Sequence, residues 1–384
     1  MRHPLKDTQL KVLYLFAGAK RRGNLKEWLL KLLPSNVTLI MTEVDVLIDA
    51  VNHDLLVEGN GERFTNQIAE SQVVVCTPPC STHSRAVWSN RLGPCPIRSR
   101  QYLRGFPWLS SAHQTKADTA NKLMDLTWNV MTLTNTAARK TFCLGLVEHP
   151  EDLGRVGSWA TGGTPASIWQ TDEARSFVTN HRWSTIALHQ SQYGAPTPKP
   201  TRLLFNHNAF DSMGHTGWPS FDSGGRYLGP LPKPTTSPGI SIMRKQGDSG
   251  PFKTAATASY PSDMCRELAT LMISCWQRHT DALQSTVAAP PLPEGGKLGA
   301  APTQVEGTDD LGAAQVQTQH LFPFPPLPPP GDILPWPPVP SSLAPHRLRH
   351  LLLGGPTTRG SRRTPGTSTS GRRSPGTART TRGP

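Results

Sequence analysis

The chain alternates short apolar runs with helical stretches, and that alternation leaves few folds open. Lys11–Ala17 (KVLYLFA), Val37–Thr42 and Gln72–Thr77 (QVVVCT) are apolar almost without a break, as strands buried in a sheet are. Asn24–Leu33 (NLKEWLLKLL) has helical periodicity and stops at Pro34, and Val44–Leu56 reads as a second helix. Then come a long helix over Ala117–Thr136, a strand over Thr141–Val147, and a helix opened by Thr164-Pro165 that runs to about Thr179. Strands over Trp183–Leu188 and Leu203–Phe205 and an amphipathic helix over Pro261–Trp276 complete the series. Strands and helices in this order predict an α/β fold, with a doubly wound, mostly parallel sheet. The periodic runs stop near residue 285, so the folded domain is expected to be 1–285.

Composition matters for the remainder. Residues 286–345 read as a disordered Pro-rich linker, with Phe322–Pro330 (FPFPPLPPP) at its densest. Such strings favour polyproline II. They act as spacers or dock SH3- or WW-type domains. Residues 346–384 hold nine Arg, no Lys and no acid. The whole chain has 40 Lys plus Arg against 27 Asp plus Glu, a net +13, so the first 345 residues carry only +4. This Arg-rich tail has too little apolar content to offset its ordering entropy and is expected to be disordered. It is a polar extension or a loose phosphate binder.

No stretch approaches the ~20 apolar residues that span a bilayer. Met1–Leu10 has no signal-peptide core, so the expected setting is intracellular, nucleus or cytoplasm, with no membrane partner. Cys76, Cys80, Cys95, Cys143, Cys265 and Cys275 are then expected to be free thiols. No tandem Cys-x-x-Cys pair is present, and no metal site is expected.

In a parallel sheet, ligands bind beyond the carboxyl ends of the strands. Phe16-Ala17-Gly18 follows the first strand, and Gly18 and Gly23 permit a tight turn there. Glu43 and then Asp45 follow the second. An acid at that place accepts hydrogen bonds from both hydroxyls of a ribose, or simply caps a helix. Thr77-Pro78-Pro79-Cys80 follows the third, and its prolines fix the loop and present Cys80 rigidly. Cys80 is a small buried hydrophobe or a nucleophile; a thiol of pKa ~8.5 needs help to ionise. Glu148 follows the next strand, and Gln190–Arg202 is a rigid basic loop with a single Tyr, Tyr193.

This ordered set resembles the cytosine-C5 DNA methyltransferase family, and most closely its short, phage-like subgroup. The matching elements are Phe16/Gly18, Glu43, Pro78-Pro79-Cys80 with Ser84, Glu148, and Tyr193-Gly194-Ala195-Pro196 with Arg202, over roughly residues 11–278. The resemblance implies a methyltransferase-type sheet and S-adenosylmethionine held by Phe16, Ala17, Gly18, Glu43 and Pro78. It implies Cys80 as the nucleophile that attacks C6 of cytosine, Glu148 as the acid at N3, and Arg202 on the base. The substrate it implies is DNA, with the target base flipped out of the duplex. It also implies a short target-recognition insert near 206–250 and a closing segment over Phe252–Tyr260. The chain departs from the family in having Gly18-Ala19-Lys20 where Gly-x-Gly is usual, followed by Arg21 and Arg22. Two alternatives share the motif set: an RNA cytosine-C5 methyltransferase, and a non-catalytic relic that binds nucleic acid or protein. A zinc deaminase is excluded, since Pro79-Cys80 is followed by His83 where the second Cys of Pro-Cys-x-x-Cys would stand.

Overall fold

A computed structural model describes residues 8–89, 94–156, 163–234 and 259–287. The Pro-rich linker beyond residue 287, the Arg-rich tail and the expected Phe252–Ala258 part of the closing segment lie outside the described residues.

The main sheet has seven strands. They are β1 (Thr8–Leu15), β2 (Val37–Val44), β3 (Val73–Cys76), β4 (Leu144–Pro150), β5 (Ser184–His189), β6 (Pro200–Phe205) and β7 (His215–Thr216), in the order β2-β1-β3-β4-β6-β5-β7. The first four pair in parallel. β6 runs antiparallel between β4 and β5, and β7 pairs antiparallel at the edge. The architecture is therefore α/β with a mixed, mostly parallel sheet.

Both faces are covered, which is why β3 is buried at all four positions. On one face α1 (Leu25–Leu32) and α6 (Ser262–Val287) pack on Leu10, Val12, Tyr14, Val75, Leu146, Leu203 and Phe205. On the other, α4 (Ser111–Ala138) and α5 (Asp172–His181) pack on Leu13, Leu15, Val74, Cys76, Val147 and Leu204. Each fully buried Leu or Val contributes about 1.5–3 kcal/mol. Two short helices, α2 (Asn60–Thr65) and α3 (Ala86–Ser89), and a hairpin of β8 (Ser220–Phe221) with β9 (Tyr227–Gly229) complete the described α-helices and strands.

Three expectations need correction. Val44–Leu56 is not a helix. β2 runs on to Val44, and turns follow in which aspartates capture the amides a helix would need: Asp45 Oδ1 accepts from Leu47 N–H, Asp49 Oδ1 from Val51 and Asn52, and Asp54 Oδ1 from Leu56. Beyond Val44 only Leu55 reaches the core, while Val46, Leu47 and Val51 are exposed, Leu47 by 71%. The helix read from Thr164 begins instead at Asp172, where Thr171 Oγ1 accepts from Ala174 N–H. A short 3-10 turn, Ile168–Gln170, precedes it. Finally, β4 continues to Pro150, so Glu148 lies within the strand rather than beyond it.

Candidate functional site

The site is set by strand alternation. Across β4 and β6, Glu148 pairs with Leu203 and His149 with Arg202. Directly opposed residues share a face, and neighbours alternate. Glu148 and Thr201 therefore project to the α1/α6 face, and His149 and Arg202 to the α4/α5 face.

Cys80 comes to Glu148 through the turn after β3. Thr77 ties that turn to β1: its N–H donates to Leu15 O at 3.2 Å and its Oγ1 to Phe16 O at 2.6 Å. Pro78 is buried, Pro79 is exposed and Cys80 is half-buried. All six cysteines are free. Burial pushes the Cys80 thiol up, Glu148 adds to that, and Lys199 opposes it. Burial likewise raises the Glu148 carboxyl, against Lys199, Tyr260 and Thr201, which favour its charge. Glu148 and Tyr260 are each only 7% exposed. The Tyr260 hydroxyl and Glu148 face each other closely enough to interact, yet neither that hydroxyl nor Glu148 Oε1 completes a well-formed hydrogen bond among the described residues. Buried polar atoms are rarely left so, and their cost persists until something polar meets them.

Lys199 was not singled out by the sequence, nor were Thr201 and Tyr260. Lys199 sits between Pro198 and Pro200 with φ +36, a strained conformation for a residue with a side chain, and its Nζ lies 5.8 Å from the centre of the Tyr260 ring. Tyr260 comes from the chain just before α6, at the end of the expected closing segment.

Arg202 does not join them. It is fully buried on the other face, where Nε and Nη2 donate to Glu151 Oε2 and Oε1 at 2.6 and 2.8 Å. Nη1 donates to Thr185 Oγ1 and Gly217 O, and the guanidinium lies 5.6 Å from the Trp218 ring centre. Tyr227 of the β8–β9 hairpin also donates to Glu151 Oε1, at 2.7 Å. Burial raises the Glu151 carboxyl, and Arg202 is the main influence against that. The arginine expected on the base thus pairs with Glu151 and, with Gly217 and Tyr227, ties the insert to the sheet.

The residues expected to hold the methyl donor cluster at the carboxyl ends of β1 and β3. Phe16 has φ +62 and Gly18 φ +75, and nothing lies within 4 Å of where a Gly18 Cβ would be. The turn is held from β2: Ala17 N–H donates to Val44 O at 3.1 Å, and Gly18 N–H to Asp45 Oδ2 at 2.8 Å. Asp45 is thus a loop anchor. Glu43 lies inside β2, opposite Tyr14, with its carboxylate 3.5 Å from Lys26 Nζ. Of the three cations after Gly18, Lys20 and Arg22 are exposed, and Arg21 Nη2 reaches Cys265 Sγ of α6 at 3.6 Å. The open turn above Gly18 and the buried Pro78 fit a bulky adenosyl group. Glu43 fits a ribose only by exchanging its contact with Lys26.

The sequence matches no protein-family model, no curated protein and no solved structure. No helix among the described residues is long and apolar enough to cross a membrane.

Proposed function

We propose that this chain is a methyltransferase of the S-adenosylmethionine-dependent fold type, which methylates C5 of cytosine in DNA through a covalent adduct with Cys80. The observation that carries this reading is one place at the carboxyl edge of the sheet. There a thiol stands beside a buried carboxyl group whose Oε1 completes no well-formed hydrogen bond among the described residues.

C5 of cytosine is a weak nucleophile. Sγ of Cys80 adds to C6, the C5–C6 π bond opens, and electron density moves to C5 and on into the ring. For that the thiol must lose its proton, and Glu148 is the group placed to take it, since its carboxyl is raised by burial. The protonated Glu148 then supplies that proton to N3, which stabilises the adduct. Lys199 favours charge on both groups, so it supports the thiolate before attack. When bound, S-adenosylmethionine supplies the electrophilic methyl group that C5 accepts. Phe16, Ala17, Gly18 and Pro78 would shape its pocket, with Glu43 toward the ribose. Loss of the C5 proton to water, expulsion of Cys80 Sγ as thiolate and return of the N3 proton through Glu148 to Cys80 then restore the ring and the thiol. Thr201 and Tyr260 face the same carboxyl and favour its charged form.

Covalent trapping tests this. The protein is mixed with S-adenosylmethionine and DNA or RNA containing 5-fluorocytosine, beside Cys80→Ala, and run under denaturing conditions. Fluorine at C5 cannot leave as a proton does, so the adduct persists. A donor-dependent adduct on DNA that Cys80→Ala abolishes is the expected result. An adduct on RNA alone changes the substrate; no adduct despite measurable donor binding rejects the reaction.

A further inference from the structure

The loop after the Cys80 turn holds a feature that the proposed chemistry does not use. From Ser71 to Ala117 the sequence has no Asp or Glu and six cations, Arg85, Arg91, Arg98, Arg100, Arg104 and Lys116. Interleaved with them are Tyr102, Phe106 and Trp108. Phe106 and Trp108 stack nearly parallel, 5.1 Å apart and 10° from coplanar, and Tyr102 meets both edge-on at 5.8 and 5.4 Å. Trp108 is nevertheless 54% exposed. Tyr102 and Phe106 are half-buried beneath it, so the cluster presents Trp108 to solvent on a packed aromatic base.

The loop is held rigidly. Phe106 N–H donates to Ile97 O at 3.0 Å, and Ile97 is buried. Arg98 is fully buried and acts as a pin: Nη1 meets Leu103 O, Asn121 Oδ1 and His83 Nε2, and Nη2 meets Ala117 O. Asn121 Nδ2 in turn donates to Arg104 O at 2.8 Å. Arg104 is neutralised by Asp125 and Glu173, and Arg85 holds three backbone carbonyls, of Leu153, Gly154 and Arg155. Of the other described cations in this stretch, Lys116 is exposed in the first turns of α4 and Arg100 is half-buried. The Arg100 guanidinium lies 4.9 Å from the ring centre of Phe221 in the β8–β9 hairpin.

We infer that the Tyr102–Phe106–Trp108 ladder is a stacking platform for unpaired bases of a nucleic-acid strand, with Arg100 and Lys116 on its phosphates. This rests on the reading that the chain acts on nucleic acid. An aromatic face accepts any base, and a platform fixed before binding loses little freedom on binding. Asp125 and Glu173 neutralise Arg104, but a segment with further cations and no acid of its own still favours a polyanion over an apolar protein surface.

Photo-crosslinking locates the contact independently of the Arg-rich tail. The full chain is irradiated with a 5-iodouracil-containing single strand, digested with trypsin and analysed by mass spectrometry. The expected crosslink falls on the peptide Gly105–Lys116, which contains Phe106 and Trp108. Trp108→Ala removes most of it and weakens single-strand binding by about 5- to 150-fold, while Trp108→Phe retains most of both. Arg100→Gln leaves the crosslink and lowers the slope of log affinity against log salt by about 0.7. Crosslinks confined to other peptides, or unchanged affinity in Trp108→Ala, overturn the proposal. A Gly105–Lys116 crosslink without a donor-dependent Cys80 adduct upholds the platform and rejects the methyl-transfer reading. An adduct without that crosslink does the reverse, and absence of any binding rejects both.

Discussion

Arg202 and Glu151 form a two-pronged ion pair with both side chains wholly removed from solvent, at 2.6 and 2.8 Å. Removing one partner leaves the other charge buried and unpaired, which costs about 3–5 kcal/mol. Arg202→Ala and Glu151→Ala are each expected to lower unfolding free energy by that amount in urea denaturation, and the double variant by less than their sum. Arg202→Lys keeps the charge but not the fork, and should fall between. If Arg202→Ala were as stable as the parent and lost only methyl transfer, Arg202 would be a substrate contact after all.

Cys80 reactivity reports the charges around it. Glu148 raises the thiol and Lys199 lowers it. In a Cys95→Ser background, which removes the exposed thiol, iodoacetamide should alkylate Cys80 faster in Glu148→Gln than in the parent, and slower in Lys199→Gln. Each unit of pKa changes the thiolate fraction about tenfold, so differences of about two- to tenfold are expected. Methyl transfer should be lost in Glu148→Gln despite the faster alkylation, because the proton donor is gone. Equal alkylation in all three proteins would remove both charges from the surroundings of Cys80.

What could be read from the sequence follows from burial. β1, β2 and β3 were legible because strands covered on one or both faces are dense in Val, Leu and Ile. Asn24 and Pro34 bracketed α1 by capping and by chain-breaking chemistry. The segment after Val44 was misread because Val46, Leu47 and Val51 imitate a helical stripe, while Asp45, Asp49 and Asp54 divert its amides. The face of Arg202 was hidden for a related reason. In Pro200–Phe205 every residue after Pro200 is buried, so no alternation of polar and apolar residues marks which side chains face Glu148. Cys80 and Glu148 were both legible, since each follows a clear apolar run. Lys199 and Tyr260 were not: their meeting depends on β6 inserting antiparallel beside β4 and on α6 returning to the same edge.

Asp45 gives the donor turn its shape. Its Oδ2 accepts from Gly18 N–H and its Oδ1 from Leu47 N–H, both at 2.8 Å. Hydrogen bonds to a charged group contribute about 1.5–3 kcal/mol each when intact. Asp45→Ala should lower stability by an amount of that order and weaken S-adenosylmethionine binding in calorimetry. Asp45→Asn, which keeps one acceptor, should recover part of each. Donor affinity unaffected by Asp45→Ala would mean that the Phe16–Gly18 turn holds itself.

His83 and His149 make the fold acid-sensitive. Both are buried on the α4/α5 side of the sheet, with rings 5.7 Å apart and nearly perpendicular. Burial lowers His149 to about 3, and burial together with Arg98 holds His83 well below its ordinary range. Both stay neutral in the fold while the unfolded chain takes up their protons near pH 6.5. Their contribution is therefore complete above about pH 6.5 and is lost as pH falls below it, for His149 down to about 3. The slope reaches about 1.4 kcal/mol per pH unit for each histidine. Glu148 acts with the opposite sign, since its raised carboxyl binds a proton more readily in the fold. A difference measurement separates them: urea midpoints of the parent and His149→Asn, compared from neutral pH downward. The gap should narrow with acidification, because the variant lacks one titrating group. A constant gap would show that His149 takes up its proton as readily in the fold as outside it.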